Sequence, residues 1–181
     1  MRPPRHPRRD DALRVPTAIL TVSDTRTPAT DASGARIRRL LSRAGHPVVA
    51  FRIVPDDPAR IRRALREWCR DPRVKAVILT GGTGVSPRDR TAETVEALLE
   101  RKLDGFGEIF RMLSYRQVGP AAFLSRATAG VHGDRILFSL PGSERGVALA
   151  MERLILPVLG HLAAEISGHP PRHRAGPRRR S

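Results

Sequence analysis

The chain has 181 residues, 40% of them hydrophobic but only 4% aromatic, which suits one domain with a sizeable aliphatic core. No apolar stretch approaches the roughly 18 residues of a membrane span, the charged N-terminus lacks the apolar segment of a secretory signal, and the single cysteine, Cys69, excludes an intramolecular disulfide. The net charge of +15 is spread unevenly: residues 1–14 carry five Arg against two Asp and residues 169–181 carry five Arg with no acid, so +3 and +5 in the tails leave +7 on residues 15–168.

The tails, rich in Pro and Arg and without apolar periodicity, are expected to be disordered basic segments on either side of one domain over 15–168. Arginine-rich ends attract phosphate without sequence selectivity, but solvated tails are the plainer reading, and neither nucleic acid nor membrane is expected as a partner. The expectation is a cytoplasmic protein. The +7 on its body suits an anionic, phosphorylated substrate.

Thr17–Val22 reads as a first strand, ending at the polar Ser23-Asp24-Thr25-Arg26. A flexible polar stretch from Thr27 to Gly34 leads into a helix whose Ile37, Leu40, Leu41 and Ala44 form one apolar stripe, with Gly45 as its stop. Val48–Val54 is a second strand. It ends at Pro55-Asp56-Asp57, where Asp57 is the expected N-cap and Pro58 the first helical residue. The helix that follows turns Ile61, Ala64, Leu65 and Trp68 inward. Val74–Leu79 is a third strand, followed by the glycine-rich segment Thr80–Thr91 and a helix over 91–99.

The second half is less regular. A short helix over Gly105–Leu113 is expected to bury Phe106, Ile109, Phe110 and Leu113, with another helical piece from Pro120 to Leu124. Ala127–Val131 and Arg135–Leu140 read as a hairpin around His132-Gly133-Asp134. Ser143 is the expected N-cap of a long helix over 144–167, kinked at Pro157 and closed by Gly168. Alternating strands and helices argue for an α/β fold: a three-layer αβα sandwich with a mostly parallel sheet and a C-terminal hairpin-like strand pair. Three strand–helix units would end at one edge of that sheet, so their polar ends (23–26, 55–57 and 80–91) converge on one crevice.

The glycine-rich segment carries most of the chemistry. Gly81, Gly82 and Gly84 let backbone N–H groups approach an anion, while Thr80, Thr83, Ser86, Asp89 and Thr91 supply hydroxyls and a carboxylate. Asp89 either caps the next helix or serves a ligand, and the two roles can coexist. Asp57 explains the start of its own helix, which frees Asp56 to face the crevice. No Gly-Lys-Ser/Thr follows the glycines, which argues against a phosphate-loop NTPase. His46, His132 and His161 lack ligand spacing, and Cys69 is read as a helix residue without a nucleophilic role.

The ordered set Thr21-Val-Ser-Asp24, Pro55-Asp56, Thr80-Gly-Gly-Thr-Gly84, Arg88-Asp89, Gly105-Phe-Gly-Glu108, Ser125-Arg126 and Pro141-Gly-Ser143 resembles the molybdopterin adenylyltransferase family. Gly105 to Ser114 together with Ser125 to Gly130 is most similar to its molybdenum cofactor biosynthesis protein B branch. The resemblance covers about 15 to 165. It implies an αβα protein forming homotrimers or homohexamers, in which Mg-ATP adenylylates molybdopterin, releasing pyrophosphate ahead of a molybdenum-insertion partner. It implies catalytic roles for Asp56 and Asp89, both able to serve the Mg²⁺ of Mg-ATP. It places Ser23, Asp24, Thr80, Gly81, Gly82, Thr83, Gly84, Ser125, Arg126, Gly142 and Ser143 at substrate or nucleotide. For Ser23 and Asp24 a helix-capping turn is the rival reading, and for Arg126 a solvated or interface arginine. The whole-protein alternative is a catalytically silent molybdopterin carrier or scaffold.

Overall fold

Uninterrupted aliphatic runs build the centre of a six-stranded sheet in the computed structural model, which describes residues 13–168. Strands β1 (Thr17–Val22), β3 (Ala76–Thr80) and β6 (Arg135–Leu140) are buried along their whole length, as strands covered on both faces must be. The order is β2-β1-β3-β6-β5-β4, with β2 (Val48–Val54) at one edge and the two-residue β4 (Arg101–Lys102) at the other. β1 runs parallel to β2 and β3, and β3 runs parallel to β6. Only β5 (Thr128–His132) reverses, pairing antiparallel with β6 and β4. The expected mostly parallel sheet with a hairpin pair is present, and β4 is an addition. The expected tails fall largely on residues 1–12 and 169–181, outside the described residues.

Alternation along the strands feeds two cores. Ile19, Ile78, Ile136 and Phe138 pack with α1 (Ala32–Arg43), α4 (Asp104–Val118), α5 (Glu144–Ala150) and α6 (Leu159–Ile166). Leu20, Val77, Leu79 and Leu137 pack with α2 (Pro58–Arg70) and α3 (Thr91–Glu96). Each fully buried Leu or Ile contributes about 1.5–3 kcal/mol relative to exposure, so the two faces together fix the sheet against its helices.

Asp57 accepts from Arg60 N at 2.7 Å and Pro58 opens α2, as the sequence implies. Asp31 caps α1 by accepting from Gly34 N at 2.9 Å, so the supposedly flexible stretch is anchored; its other oxygen accepts from Thr21 Oγ1 at 2.6 Å. α4 runs longer than expected, to Val118, because no breaker precedes Gly119, whose φ of +62° ends it. A 3₁₀ turn over Gly119–Leu124 follows. Phe110 is buried and Phe106 and Leu113 partly so, but Ile109 is exposed, against expectation. The single helix expected over 144–167 is three pieces: α5, a π turn over Met151–Ile155, and α6, with a 59° bend at the break before Leu159. Pro157 lies in that break and has no N–H to continue the ladder. Among the described residues no single helix is long and apolar enough to cross a membrane.

Candidate functional site

Strand register brings the site together. Val22 lies opposite Val54, Thr21 opposite Thr80, and Thr80 opposite Leu140, so four parallel strands end level and release Ser23, Pro55, Gly81 and Pro141 at one edge. The glycine loop is locked there by close approaches. Gly81 donates to Leu140 O at 3.1 Å, and Thr80 Oγ1 donates to Pro141 O at 2.8 Å. Gly81 (φ +105°) and Gly82 (φ +64°) have left-handed backbones, and a Cβ at Gly81 would collide with the Val22 carbonyl. The amides of Gly82, Thr83 and Gly84 donate to no protein acceptor among the described residues. They form the short run of free N–H groups that an anion site requires.

Two carboxylates from different loops lie against this run. A Cβ at Gly82 would come within 2.5 Å of Asp56 Oδ2, and one at Gly84 within 2.7 Å of Asp89 Oδ2. Asp56 Oδ1 accepts from Arg90 N at 3.3 Å. Asp89 does not cap α3; its Oδ2 accepts from Ser86 N at 3.0 Å, inside the loop. Asp24 joins the group from the end of β1, accepting from Asp56 N at 3.3 Å and pairing with Arg88. Burial pushes the Asp56 carboxyl above the ordinary aspartate range; the Arg90 N–H opposes this, Asp89 and Asp24 push it further up, and Arg88 draws it down. Three acids, one with a strengthened hold on its proton, thus surround an amide-rich loop.

The residues matched by a known family, 18–161, span nearly all of this architecture; its model is described as "Probable molybdopterin binding domain". The chain belongs to this molybdopterin-binding domain family. It is similar to the "Molybdenum cofactor biosynthesis protein B" of Bacillus cereus, at 48% identity over 149 residues, or 82% of this chain and 88% of that protein. A crystal structure of molybdenum cofactor biosynthesis protein B superposes with TM-score 0.84 at 46% identity, covering 86% of this chain and 98% of that one. The tungsten cofactor synthesizing protein MoaB from Pyrococcus furiosus superposes with TM-score 0.76 at 36% identity, covering 84% and 97%.

Within the family fold, the remaining predicted residues divide into two groups. Ser23 Oγ accepts from Thr25 N and Arg26 N at 3.3 and 3.2 Å, which fixes the turn after β1. Gly142 packs 3.3 Å from Gly81, measured from the Cβ it lacks, and Ser33 Oγ donates to its carbonyl at 2.8 Å. Ser143 caps α5, accepting from Gly146 N at 3.1 Å. These are at the same edge as the acids, but their polar groups are engaged in holding the backbone. Ser125 Oγ is buried without a partner among the described residues. Arg126 directs its guanidinium at the loop's own carbonyls, Gly84 O at 2.7 Å and Asp89 O at 2.6 Å, and at Glu93.

The sequence reading named Thr91 only as one loop hydroxyl among several and did not single out Arg88 as a member of the site. Arg88 is one of 31 arginines, with nothing in the sequence to mark its pairing with Asp24. Thr91 Oγ1 is buried with no hydrogen-bond partner among the described residues, beside the point where a Gly82 Cβ would meet Asp56. No group of three or more His, Cys, Asp and Glu suited to a metal occurs among the described residues. A carboxylate pair of this kind fits Mg²⁺, which is commonly bound through one or two carboxylates plus substrate phosphates and water.

Proposed function

We propose that this protein works in molybdenum cofactor biosynthesis, where it transfers the adenylyl group of Mg-ATP to molybdopterin and releases pyrophosphate. The observation that carries this reading is the pairing of Asp56 and Asp89, from two separate strand ends, across a loop with three free amides. A terminal phosphate oxygen of molybdopterin forms a bond to the α-phosphorus of ATP, and the bond from that phosphorus to the bridging oxygen breaks, so the pyrophosphate leaves with its electron pair. No covalent enzyme intermediate is required. The magnesium of Mg-ATP would be held by Asp56 and Asp89 and would supply charge neutralisation at the phosphates. The amides of Gly82, Thr83 and Gly84 would hold phosphate oxygens. Catalysis by such a site is positioning and electrostatic stabilisation.

ATP as co-substrate agrees with a cytoplasmic reaction, with the adenylylated product passed to a metal-insertion step. Self-assembly into a homotrimer or homohexamer is part of this reading, supported by an exposed apolar face on α4. The test incubates purified protein with molybdopterin, ATP and Mg²⁺ and follows adenylylated product and pyrophosphate. Product that falls by about 10²–10³-fold in Asp89→Asn is the expected result, the usual scale for loss of one transition-state contact. Tight molybdopterin binding without product in the unmodified protein would instead establish a carrier.

A further inference from the structure

We propose that Arg126 is a positioning residue for this transfer, a brace that fixes the glycine-rich loop and Asp89, and not a grip on the substrate's phosphate. The proposal rests on the adenylylation reading given above. All three nitrogens of the Arg126 fork are engaged inside the protein. Nε donates to Gly84 O at 2.7 Å, one terminal nitrogen donates to Asp89 O at 2.6 Å, and the other pairs with Glu93 of α3. The Arg126 backbone N–H adds a fourth contact, to Thr83 O at 3.0 Å. One residue, set at the junction between the 3₁₀ turn and β5, therefore ties the entry of the loop, its exit and the helix beyond it.

The loop needs such a tie. Val85, Ser86, Pro87 and Arg88 are exposed, so they gain no shape from a core. Their internal support is the Ser86–Asp89 pair, with Asp89 N donating to Ser86 O at 2.9 Å and Asp89 Oδ2 accepting from Ser86 N at 3.0 Å. That pair sets the curl of the loop but not its place against the sheet. The Arg126 contacts at Gly84 O and Asp89 O help set it, because they anchor the residues on either side of the curl to the segment leading into β5, while the exposed Arg88 pairs with Asp24 at the end of β1. The same contacts keep the Asp89 carboxylate over Gly84, where a Cβ would lie 2.7 Å from Oδ2. A guanidinium is planar, permanently charged and forked, so it can span two carbonyls and a carboxylate at once; an ammonium cannot.

The test compares the full-length protein with Arg126→Lys and Arg126→Met by steady-state kinetics with molybdopterin and Mg-ATP, and by amide hydrogen exchange over residues 83–90. Arg126→Lys keeps the charge and is the milder change should Arg126→Met fold poorly. The expected result is a loss of roughly 100-fold in kcat in both variants, the scale of a displacement of about 1 Å in a catalytic group. KM for molybdopterin stays unchanged, and exchange over 83–90 accelerates. A raised KM with unchanged kcat would overturn the proposal in favour of direct phosphate binding. Full recovery in Arg126→Lys, or exchange that does not change, would overturn it as well. If the unmodified protein makes no adenylylated product, the transfer reading fails, and loop exchange together with molybdopterin affinity in the two variants decides the brace separately.

Discussion

Gly82 shows how narrowly a single position is constrained. Its φ of +64° disfavours any side chain, and a Cβ there would collide with Thr91 Oγ1 and press on Asp56 Oδ2 at 2.5 Å. Gly82→Ala should therefore cost about 1–3 kcal/mol in backbone strain and, by pushing Asp56 aside, lower kcat well beyond the loss in thermal stability; melting curves and initial rates on the same preparation separate the two. Asp56 also makes a pH prediction. Its carboxyl is raised above the ordinary aspartate range by burial first, and then by Asp89 and Asp24. The ionised form is lost as pH falls through that raised value, so activity should decline at a higher pH than an ordinary aspartate would give. Asp24→Asn removes one of the neighbouring charges and leaves Arg88, freed from its partner, to act in the same direction. The acid limb of the rate profile should then move to lower pH. A limb that stays in place would remove Asp56 as the group behind it.

At the scale of elements, what could be read from the sequence follows a physical division. β1, β2, α2 and the turn at Gly133 (φ +57°) were legible because their signals are local: apolar runs, the Asp57-Pro58 start, and a glycine between two strands. Asp56 and Asp89 were legible as candidates because strand ends place them at one edge. What escaped depends on contacts far apart in sequence. Asp31 is buried and held by Thr21 Oγ1 from the end of β1, and Arg126 becomes a clasp only because the loop 37 to 42 residues earlier folds back on it. His46 is a further case, linking two elements through Val15 N, which donates to its Nδ1 at 3.0 Å. Burial lowers the His46 pKa, so as pH falls below about 6.5 the unfolded chain takes up its proton first. Stability from this contact is complete above that pH and is lost as pH falls toward the folded value. His46→Asn, which offers an acceptor that does not titrate, should flatten the decline in melting temperature between about pH 7 and pH 5.

For the whole molecule, the uneven surface is the informative feature. One side of α4 and the 3₁₀ turn after it exposes Ile109, Met112, Tyr115, Val118, Phe123 and Leu124, with Phe123 at 72% and Tyr115 at 60% accessibility. These six residues lie within sixteen positions of each other, while the sheet faces are closed by their own helices. Large apolar side chains gathered in this way mark an interaction face. A second copy of the chain is the occupant that fits the proposed homo-oligomer, because a ring of identical subunits repeats a single contact and closes without leaving that face in water. This face borders the site, since Leu124 lies two residues before Arg126, whose guanidinium touches Gly84 O and Asp89 O. Phe123→Asp places a charge in the middle of the apolar face and should convert the oligomer to monomer in light scattering, with the far-ultraviolet spectrum retained. A monomer that still binds molybdopterin would show that each subunit carries a complete site. A variant that stays oligomeric would move the interface away from α4, and the apolar face would then need another occupant.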